Sequence, residues 1–166
     1  MQTLSKVRNA ARHTLRKRGL LQRDYVIIAD ADGLIFRPAD SVRAVLRNAS
    51  EWDVVTFNRV QNEGYYDTWA LRMPGVYNKF SGLTDEWIKE TLKARLDAIG
   101  PGEYLPVYSA GNGFIMYKSR FMHGCTYGWR AYEQNSRVNF DCEHAVFNHC
   151  VRNAGARIVI AKRVIG

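Results

Sequence analysis

The 166-residue sequence lacks long apolar runs and has fewer acids than bases. No stretch approaches the roughly 20 consecutive apolar residues that a membrane span needs. The N-terminus has no apolar centre of the kind found in secretory signals. From these absences we predict no membrane span and no secretory leader, and we expect a cytoplasmic protein.

Cysteine is also scarce, with three residues, Cys125, Cys142 and Cys150, and no CxxC spacing among them. An odd number of cysteines cannot all pair within one chain. Disulfides are rare in cytosolic proteins, where thiols are kept reduced. The sequence therefore favours three reduced thiols.

Acids are outnumbered by bases, 16 to 24, which gives a net charge of +8. Such an excess attracts phosphate on nucleic acid, on a nucleotide sugar or on an anionic membrane. Charge does not choose among these partners, and a solvated helix face is the simplest interpretation. Much of the excess lies in the first 23 residues, at Lys6, Arg8, Arg12, Arg16, Lys17, Arg18 and Arg23.

The remaining composition is that of a globular domain, with 46% hydrophobic and 24% charged residues. We find no repeat or linker and predict a single domain over residues 1–166. Strands and helices alternate, which predicts an α/β fold with a mixed sheet flanked by helices. Periodicity predicts helices near 4–15, 42–46, 84–99 and 141–153, and strands near 25–29, 54–57, 105–109, 113–117 and 157–161.

The first candidate site follows the apolar run at 25–29. Asp30 and Asp32 flank Ala31 just beyond a predicted buried strand, which is where open α/β sheets bind ligands. In extended chain the two carboxylates fall on the same side, and a hard cation such as Mg²⁺ or Mn²⁺ would relieve their repulsion. The alternative is a turn in which the aspartates cap a neighbouring amide.

The second candidate lies in a long aperiodic segment, 61–83, and segments of this kind are usually functional. Asp67, Trp69 and Arg72 suit a sugar site because an indole covers a pyranose face and charged groups bind hydroxyls. Alternatively, Trp69 and Leu71 pack on the core while Asp67 and Arg72 pair. We expect Leu71 in the core and functional roles for the other three.

Two further segments carry weaker signals. Ser109, Gly111 and Gly113 lie between two predicted strands, where glycine permits close approach of a ligand or of another backbone. A hairpin turn explains them equally well. Glu143 and His144 begin the last predicted helix and can supply a general base, a metal ligand or hydrogen bonds to an acceptor hydroxyl.

These motifs, in this order, resemble the GT-A glycosyltransferases, in which an Ala-Arg-Asn helix precedes a strand that ends in Asp-x-Asp. Arg8 and Asn9 match the helix, and Asp30 to Asp32 match the strand end. The later segments more specifically resemble the fungal capsule-associated mannosyltransferases and the related chlorovirus glycosyltransferases. The similarity runs from about residue 6 to the end, and those segments are 66–72, 109–113 with Tyr117 and Lys118, and 142–144.

The resemblance implies sugar transfer from a UDP- or GDP-linked donor to a glycan or other hydroxyl acceptor, with Mn²⁺ or Mg²⁺. It implies that Asp30 and Asp32 contact the donor ribose and the metal, with Asp32 the firmer ligand, and that Arg8 faces the nucleotide or its phosphates. The other implied residues are Asn9 and Ala31 beside the donor, Asp67, Trp69, Arg72, Ser109, Gly111 and Gly113 beside the sugar and acceptor, and Glu143, His144 or Asp67 at the reacting hydroxyl.

One departure from that family concerns the nucleotide pocket. GT-A domains begin with a strand, a loop and a further strand that hold the base, and these precede the Ala-Arg-Asn helix. Only seven residues precede Arg8 in this sequence. We therefore expect either a truncated fragment or an unusually short member whose donor pocket is incomplete.

Two rival functions fit parts of the sequence. Phosphatases of the haloacid dehalogenase type also carry Asp-x-Asp-Gly after an apolar strand, and 54–56 resembles their second motif. However, Leu34 stands where they usually have Thr or Val, and we find no late strand ending in paired acids. A basic nucleic-acid-binding module would use the arginine helix. It leaves the acid triplet and the Asp67–Arg72 segment unexplained, so nucleic acid is the less expected partner.

Overall fold

The computed structural model describes residues 2–30, 39–59, 67–77, 82–129 and 141–165. Within these ranges the chain forms α-helices and strands that alternate for most of its length. The helices are α1 (Gln2–Lys17), α2 (Ala39–Arg47), α3 (Asp85–Ala98) and α4 (Glu143–Asn153). The strands are β1 (Tyr25–Ala29), β2 (Val54–Arg59), β3 (Tyr104–Val107), β4 (Phe114–Lys118) and β5 (Ile158–Ile165).

The strands form one mixed sheet in the order β1-β4-β2-β5-β3. β2 and β5 run parallel, with Val54 opposite Ile158, and the other neighbours are antiparallel. The prediction of a mixed α/β fold is therefore confirmed.

Apolar side chains cover both faces of the central strands. Val54 and Ile115 join a core with α3 and α4, whereas the next residues, Val55 and Met116, join a core with α2. Successive side chains of a strand point to opposite faces, so a strand buried on both faces has a continuous apolar run. The helices therefore lie on both sides of the sheet.

The ends of the helices carry residues that commonly begin and end helices. The Thr84 hydroxyl accepts a hydrogen bond from the Trp87 N–H at 3.2 Å and caps α3. Gly19 and Gly155, which follow α1 and α4, have φ of 67° and 92°, where glycine is favoured.

The alternative of a hairpin turn between the third and fourth strands is wrong. β3 pairs with β5, whereas β4 lies between β1 and β2. β4 already pairs with β1 along one edge and with β2 along the other, so it has no edge left for β3. The segment 108–113 is thus a crossing between distant strands.

Leu4, Val7 and Ala11 of α1 are exposed, whereas Leu15 packs against the core and the polar side chains on the same side of the helix face inwards. The Ser5 hydroxyl donates to the Gly128 carbonyl at 2.8 Å, and Asn9 exchanges two hydrogen bonds of 2.8 Å with the Tyr127 backbone. Arg8 lies on the same inward side and is largely buried. The expected solvated basic face is therefore wrong for Arg8, which bonds to the carboxylates of Asp30 and Glu143.

The expectation of three reduced thiols is also wrong. Cys125 and Cys150 form a disulfide with a Cα–Cα distance of 5.7 Å, and Cys142 is a buried free thiol. The sequence does not predict this disulfide, because 25 residues separate the two cysteines and no spacing rule applies to them. Stable disulfides are typical of oxidising compartments, so this pairing does not favour the expected cytoplasmic location.

Reduction of the disulfide is expected to lower the free energy of unfolding by about 3 kcal/mol, because the closed loop restricts the unfolded chain. Urea unfolding with and without reductant measures the loss. The Cys125→Ala/Cys150→Ala variant is the control and should not respond to reductant. Three reactive thiols in denatured, unreduced protein would contradict the pairing.

Among the described residues, no helix has both the length and the apolar character needed to cross a membrane.

Candidate active site

Three distant segments meet at the guanidinium of Arg8. Its Nη2 donates to Asp30 Oδ1 at 2.9 Å, and its Nε donates to Glu143 Oε1 at 3.1 Å. Asp30 follows β1, and its N–H donates to the Gly113 carbonyl at 2.9 Å. Glu143 begins α4, where a negative charge suits the helix dipole. α1, β1 and α4 therefore converge at one end of the sheet.

The exposure of these three side chains differs. Glu143 is 6% exposed and Arg8 16%, whereas Asp30 is 31% exposed and opens the cluster to solvent. Burial lowers the pKa of Arg8, but its bond to Asp30 and the charges of Asp30 and Glu143 outweigh that effect and raise it. Arg8 is thus a fixed positive charge between two carboxylates.

Asp67 is a third carboxylate in the same electrostatic field. Burial raises its pKa, and the negative charges of Glu143 and Asp30 raise it further. Hydrogen bonds from the Ala70 and Asn112 N–H groups, at 3.1 and 3.3 Å, oppose this shift. Three predicted residues, Asp30, Asp67 and Glu143, are therefore coupled through their charges.

The glycines of the 109–113 segment position these acids. A Cβ on Gly111 would collide with the Asp67 carboxylate and lie 2.9 Å from the Ala70 Cβ, so glycine is required there. Gly113 has φ of 77° and its carbonyl holds the backbone of Asp30. The close approach predicted for these glycines is thus made by the protein's own chain.

Ser109, a predicted substrate contact, lies in a buried network. Its hydroxyl accepts from Asn148 Nδ2 at 3.0 Å, and the same amide donates to the Ala110 carbonyl at 2.9 Å. Asn148 in turn accepts from the Tyr117 hydroxyl at 2.9 Å. Ser109 therefore connects the 109–113 segment to α4, and Asn148 was missed, although a polar residue on an apolar helix face was the available signal.

Arg72 is buried and pairs with an acid other than Asp67. Its side chain is 1% exposed, and its Nη2 bonds to Asp141. Its Nη1 donates to the carbonyls of Trp69 and Leu71 at 2.9 and 2.7 Å. The predicted core position of Leu71 is confirmed, and Arg72 ties this loop to the residue before Cys142 and α4.

Trp69 is half-buried and packs beside a small buried cluster formed by Ala70, Cys142 and Ala145. Burial raises the pKa of Cys142 to about 12, and the negative charges of Glu143 and Asp67 add to the shift. The Cys142 thiol is therefore neutral. Trp69 retains partial access to solvent.

His144 is buried as a neutral imidazole. Burial and the nearby charge of Arg8 lower its pKa to about 3. Its Nδ1 has no hydrogen-bond partner in the described ranges, and its Nε2 lies 3.9 Å from Glu143 Oε1. The ring meets Tyr127 edge to face, with centroids 5.8 Å apart. A base of such low pKa holds almost no protons at neutral pH.

Acidification is expected to destabilise the fold through His144. The unfolded chain protonates this histidine near pH 6.5 and the folded chain near pH 3, so the unfolded state binds more protons between these values. The free energy of unfolding therefore falls as pH falls through this interval, by up to about 1.4 kcal/mol per pH unit. In the His144→Gln variant, the free energy of unfolding from urea titration should depend less on pH between about pH 6.5 and 4.5. The His13→Gln variant, at an exposed histidine, should keep the original dependence. Equal slopes in both variants would contradict the assignment.

Tyr127 lies beside Arg8, and the sequence did not predict this contact. Its ring stacks on Phe147 at 4.2 Å and lies 5.9 Å from the Arg8 guanidinium carbon. Asn9, predicted to contact the nucleotide, binds the Tyr127 backbone and so holds this ring in place. The aperiodic sequence around Tyr127 carried no signal for that contact.

Part of the predicted site lies outside the described residues. Ala31 and Asp32 are in this part, as are residues 61–66 and 78–81 of the predicted loop. In the ranges that the structure describes, no three His, Cys, Asp or Glu side chains are grouped so as to hold a metal ion.

Comparison with known proteins identifies no relative. No protein-family model matches the chain, and no curated protein matches it. The functional interpretation therefore depends on the arrangement of residues around Arg8.

Proposed function

We propose that this chain is the catalytic domain of a metal-dependent glycosyltransferase of the GT-A type. It would move a sugar from a nucleotide diphosphate donor to a glycan or other hydroxyl acceptor. The observation that carries the proposal is the contact of Arg8 with both Asp30 and Glu143. Three sequence motifs that resemble glycosyltransferase motifs thereby share one cluster, and Asp67 adds a further carboxylate to it.

The acidic end of β1 has the chemistry of a divalent-cation site. Asp30 is the most exposed carboxylate of the cluster, and in the described ranges its hydrogen bond runs from Arg8 to Oδ1 alone. Mn²⁺ and Mg²⁺ prefer such oxygen donors and need only one or two carboxylates when phosphates supply further ligands. Asp30 and Asp32 would hold the ion, which would stabilise negative charge on the departing diphosphate.

Arg8 has two roles in this proposal. Its two N–H bonds fix the carboxylates of Asp30 and Glu143 relative to each other. A planar guanidinium also suits phosphate, so Arg8 adds a permanent positive charge on the donor side of the site. The sequence-based assignment of Arg8 to the phosphates is therefore kept.

Glu143 is the best general base among the three candidates. His144 is neutral with a pKa of about 3, and both carboxylate oxygens of Asp67 accept backbone N–H bonds. Glu143 Oε1 accepts from Arg8, but among the described residues its Oε2 accepts only from the Cys142 thiol at 3.8 Å, and a thiol is a weak donor. Glu143 would take the proton of the acceptor hydroxyl as that oxygen bonds to the anomeric carbon. The bond from that carbon to the diphosphate oxygen breaks in the same transfer, and its electron pair leaves with the nucleotide diphosphate.

The structure does not support residues 54–56 as the second motif of a phosphatase. The Thr56 side chain is buried, and its hydroxyl bonds to the carbonyls of Gly111 and Phe114, the latter at 3.1 Å. It therefore holds the 111–114 backbone and is not presented to a phosphate group. The first motif alone does not distinguish a phosphatase from a glycosyltransferase.

Three assays on the whole chain separate the candidate functions. We expect hydrolysis or transfer with one or more nucleotide sugars in the presence of Mn²⁺. p-Nitrophenyl phosphate turnover with Mg²⁺ tests the phosphatase, and salt-sensitive binding to DNA or RNA tests the nucleic-acid module. Activity in the second or third assay alone would contradict the proposal.

A further inference from the structure

α1 presents an apolar stripe to solvent. Leu4 is 50% exposed and Val7 61%, and Ala11 is exposed as well. These residues are three and four positions apart, so they lie on one side of the helix. Leu20, in the turn that follows α1, is 37% exposed. The stripe is the reverse of what a helix docked on a core normally shows, because the polar side of α1 is the docked side.

Exposed bases accompany the stripe, and no acid lies in α1. After the helix, Arg23, Arg120 and His123 line a cavity of about 380 Å³ that also contains Asp24. The segment from α1 to Arg23 thus has both exposed apolar side chains and a strong positive charge. Its exposed bases are Lys6, Arg16, Lys17, Arg18 and Arg23.

We propose that the outer face of α1 binds the surface of an anionic membrane. Leu4 and Val7 would enter the boundary between headgroups and acyl chains, while Lys17 and Arg18 contact lipid phosphates and carboxylates. Short amphipathic helices with low overall hydrophobicity and basic flanks bind membranes in this way. Each base near such a surface adds to the attraction.

Charge complementarity and the apolar stripe together select this partner. A nucleic acid would pair with the bases but leave Leu4 and Val7 in water, since phosphate contacts need only charge. A second copy of the chain would bring two acid-free basic helices together, and like charges repel. An anionic lipid surface satisfies both the charge and the apolar side chains.

Binding through the outer face of α1 would bring the candidate active site close to the membrane. Arg8 and Asn9 lie on the inner side of the helix whose outer side would contact lipid. A helix with its side chains is about 10 Å across. The cluster of Arg8, Asp30 and Glu143 would therefore lie close to the headgroups, although membrane binding itself needs no nucleotide sugar.

Sedimentation with phosphatidylcholine vesicles, with and without phosphatidylserine, tests the proposal. We expect binding only with phosphatidylserine, weakened by salt. Lys17→Gln/Arg18→Gln should weaken binding by roughly tenfold or more. Leu4→Ser/Val7→Ser keeps the charge and should weaken it several-fold. Matched controls that should bind like the unaltered chain are Trp87→Ser, at an exposed tryptophan, and Arg43→Gln/Lys93→Gln, at exposed bases elsewhere.

Several results would overturn the proposal. One is equal binding to vesicles without phosphatidylserine, or no binding to either. A second is unchanged binding of the Leu4→Ser/Val7→Ser variant when thermal unfolding shows it to be folded. A third is a shift from dimer to monomer in that variant by light scattering, which would assign the stripe to self-association. None of these results depends on sugar transfer, so the proposed function is tested separately.

Discussion

Replacing Glu143 by glutamine is expected to lower the turnover of sugar transfer by about 10²–10⁴-fold, the usual contribution of a general base. Glutamine keeps the shape and an oxygen that accepts from Arg8 Nε, so donor binding should change little. It cannot take the proton of the acceptor hydroxyl. Turnover at saturating donor and calorimetric donor binding, measured on the same protein, separate the two effects.

A second acid in a first helical turn provides the matched control. Glu86 lies in the first turn of α3, as Glu143 lies in the first turn of α4, but Glu86 is exposed. Glu86→Gln should therefore leave turnover unchanged. A fully active Glu143→Gln enzyme would refute the assignment of this base and direct attention to Asp67 or His144.

The largest loss of stability is expected at the buried pair of Arg72 and Asp141. Asp141→Asn keeps the size of the side chain but removes the charge that balances a guanidinium with 1% exposure. Breaking a buried ion pair from one side costs about 3–5 kcal/mol because the other charge is left uncompensated. The free energy of unfolding from urea titration should fall by that amount.

Two further variants distinguish the charge effect from a local disturbance. Arg72→Met combined with Asp141→Asn removes both charges and should recover much of the loss. Asp97→Asn breaks the exposed pair with Lys93 and should change stability little. If Asp141→Asn lowers the free energy of unfolding no more than Asp97→Asn does, the ion pair of Arg72 and Asp141 does not stabilise the fold.

Local patterns in the sequence were enough to predict most elements of the fold. β1 and β2 are short apolar runs, and α3 has a capping threonine followed by apolar residues at helical spacing. Each of these signals acts within a few residues and needs no knowledge of the tertiary structure. That is why the mixed α/β fold was predictable.

Contacts between distant residues decided what the sequence could not. The docked face of α1 is set by hydrogen bonds from Ser5 and Asn9 to residues 123 and 118 positions away. Hydrophobic periodicity alone predicts the opposite face. The partner of Arg72 is equally distant, 69 positions along the chain, whereas sequence proximity suggested Asp67.

The acidic residues of the candidate site could be predicted from the sequence, but the contacts between them and Arg8 could not. Asp30, Asp67 and Glu143 were named because each stands where a strand, loop or helix start exposes a carboxylate. The position of Arg8 between Asp30 and Glu143 could not be inferred, since spacing does not reveal which side chains meet across 22 and 135 positions. The metal assignment to Asp32 stays a prediction.

Calorimetric titration of UDP and GDP, with and without Mn²⁺, tests the central claim most directly. We predict binding of at least one nucleotide that depends on Mn²⁺, its loss in Asp32→Ala, and a smaller weakening in Asp30→Asn. Asp40→Asn, at an exposed acid in α2, is the matched control and should bind normally. Unchanged Mn²⁺-dependent binding in a folded Asp32→Ala variant, or no binding of either nucleotide by the unaltered chain, would contradict the account.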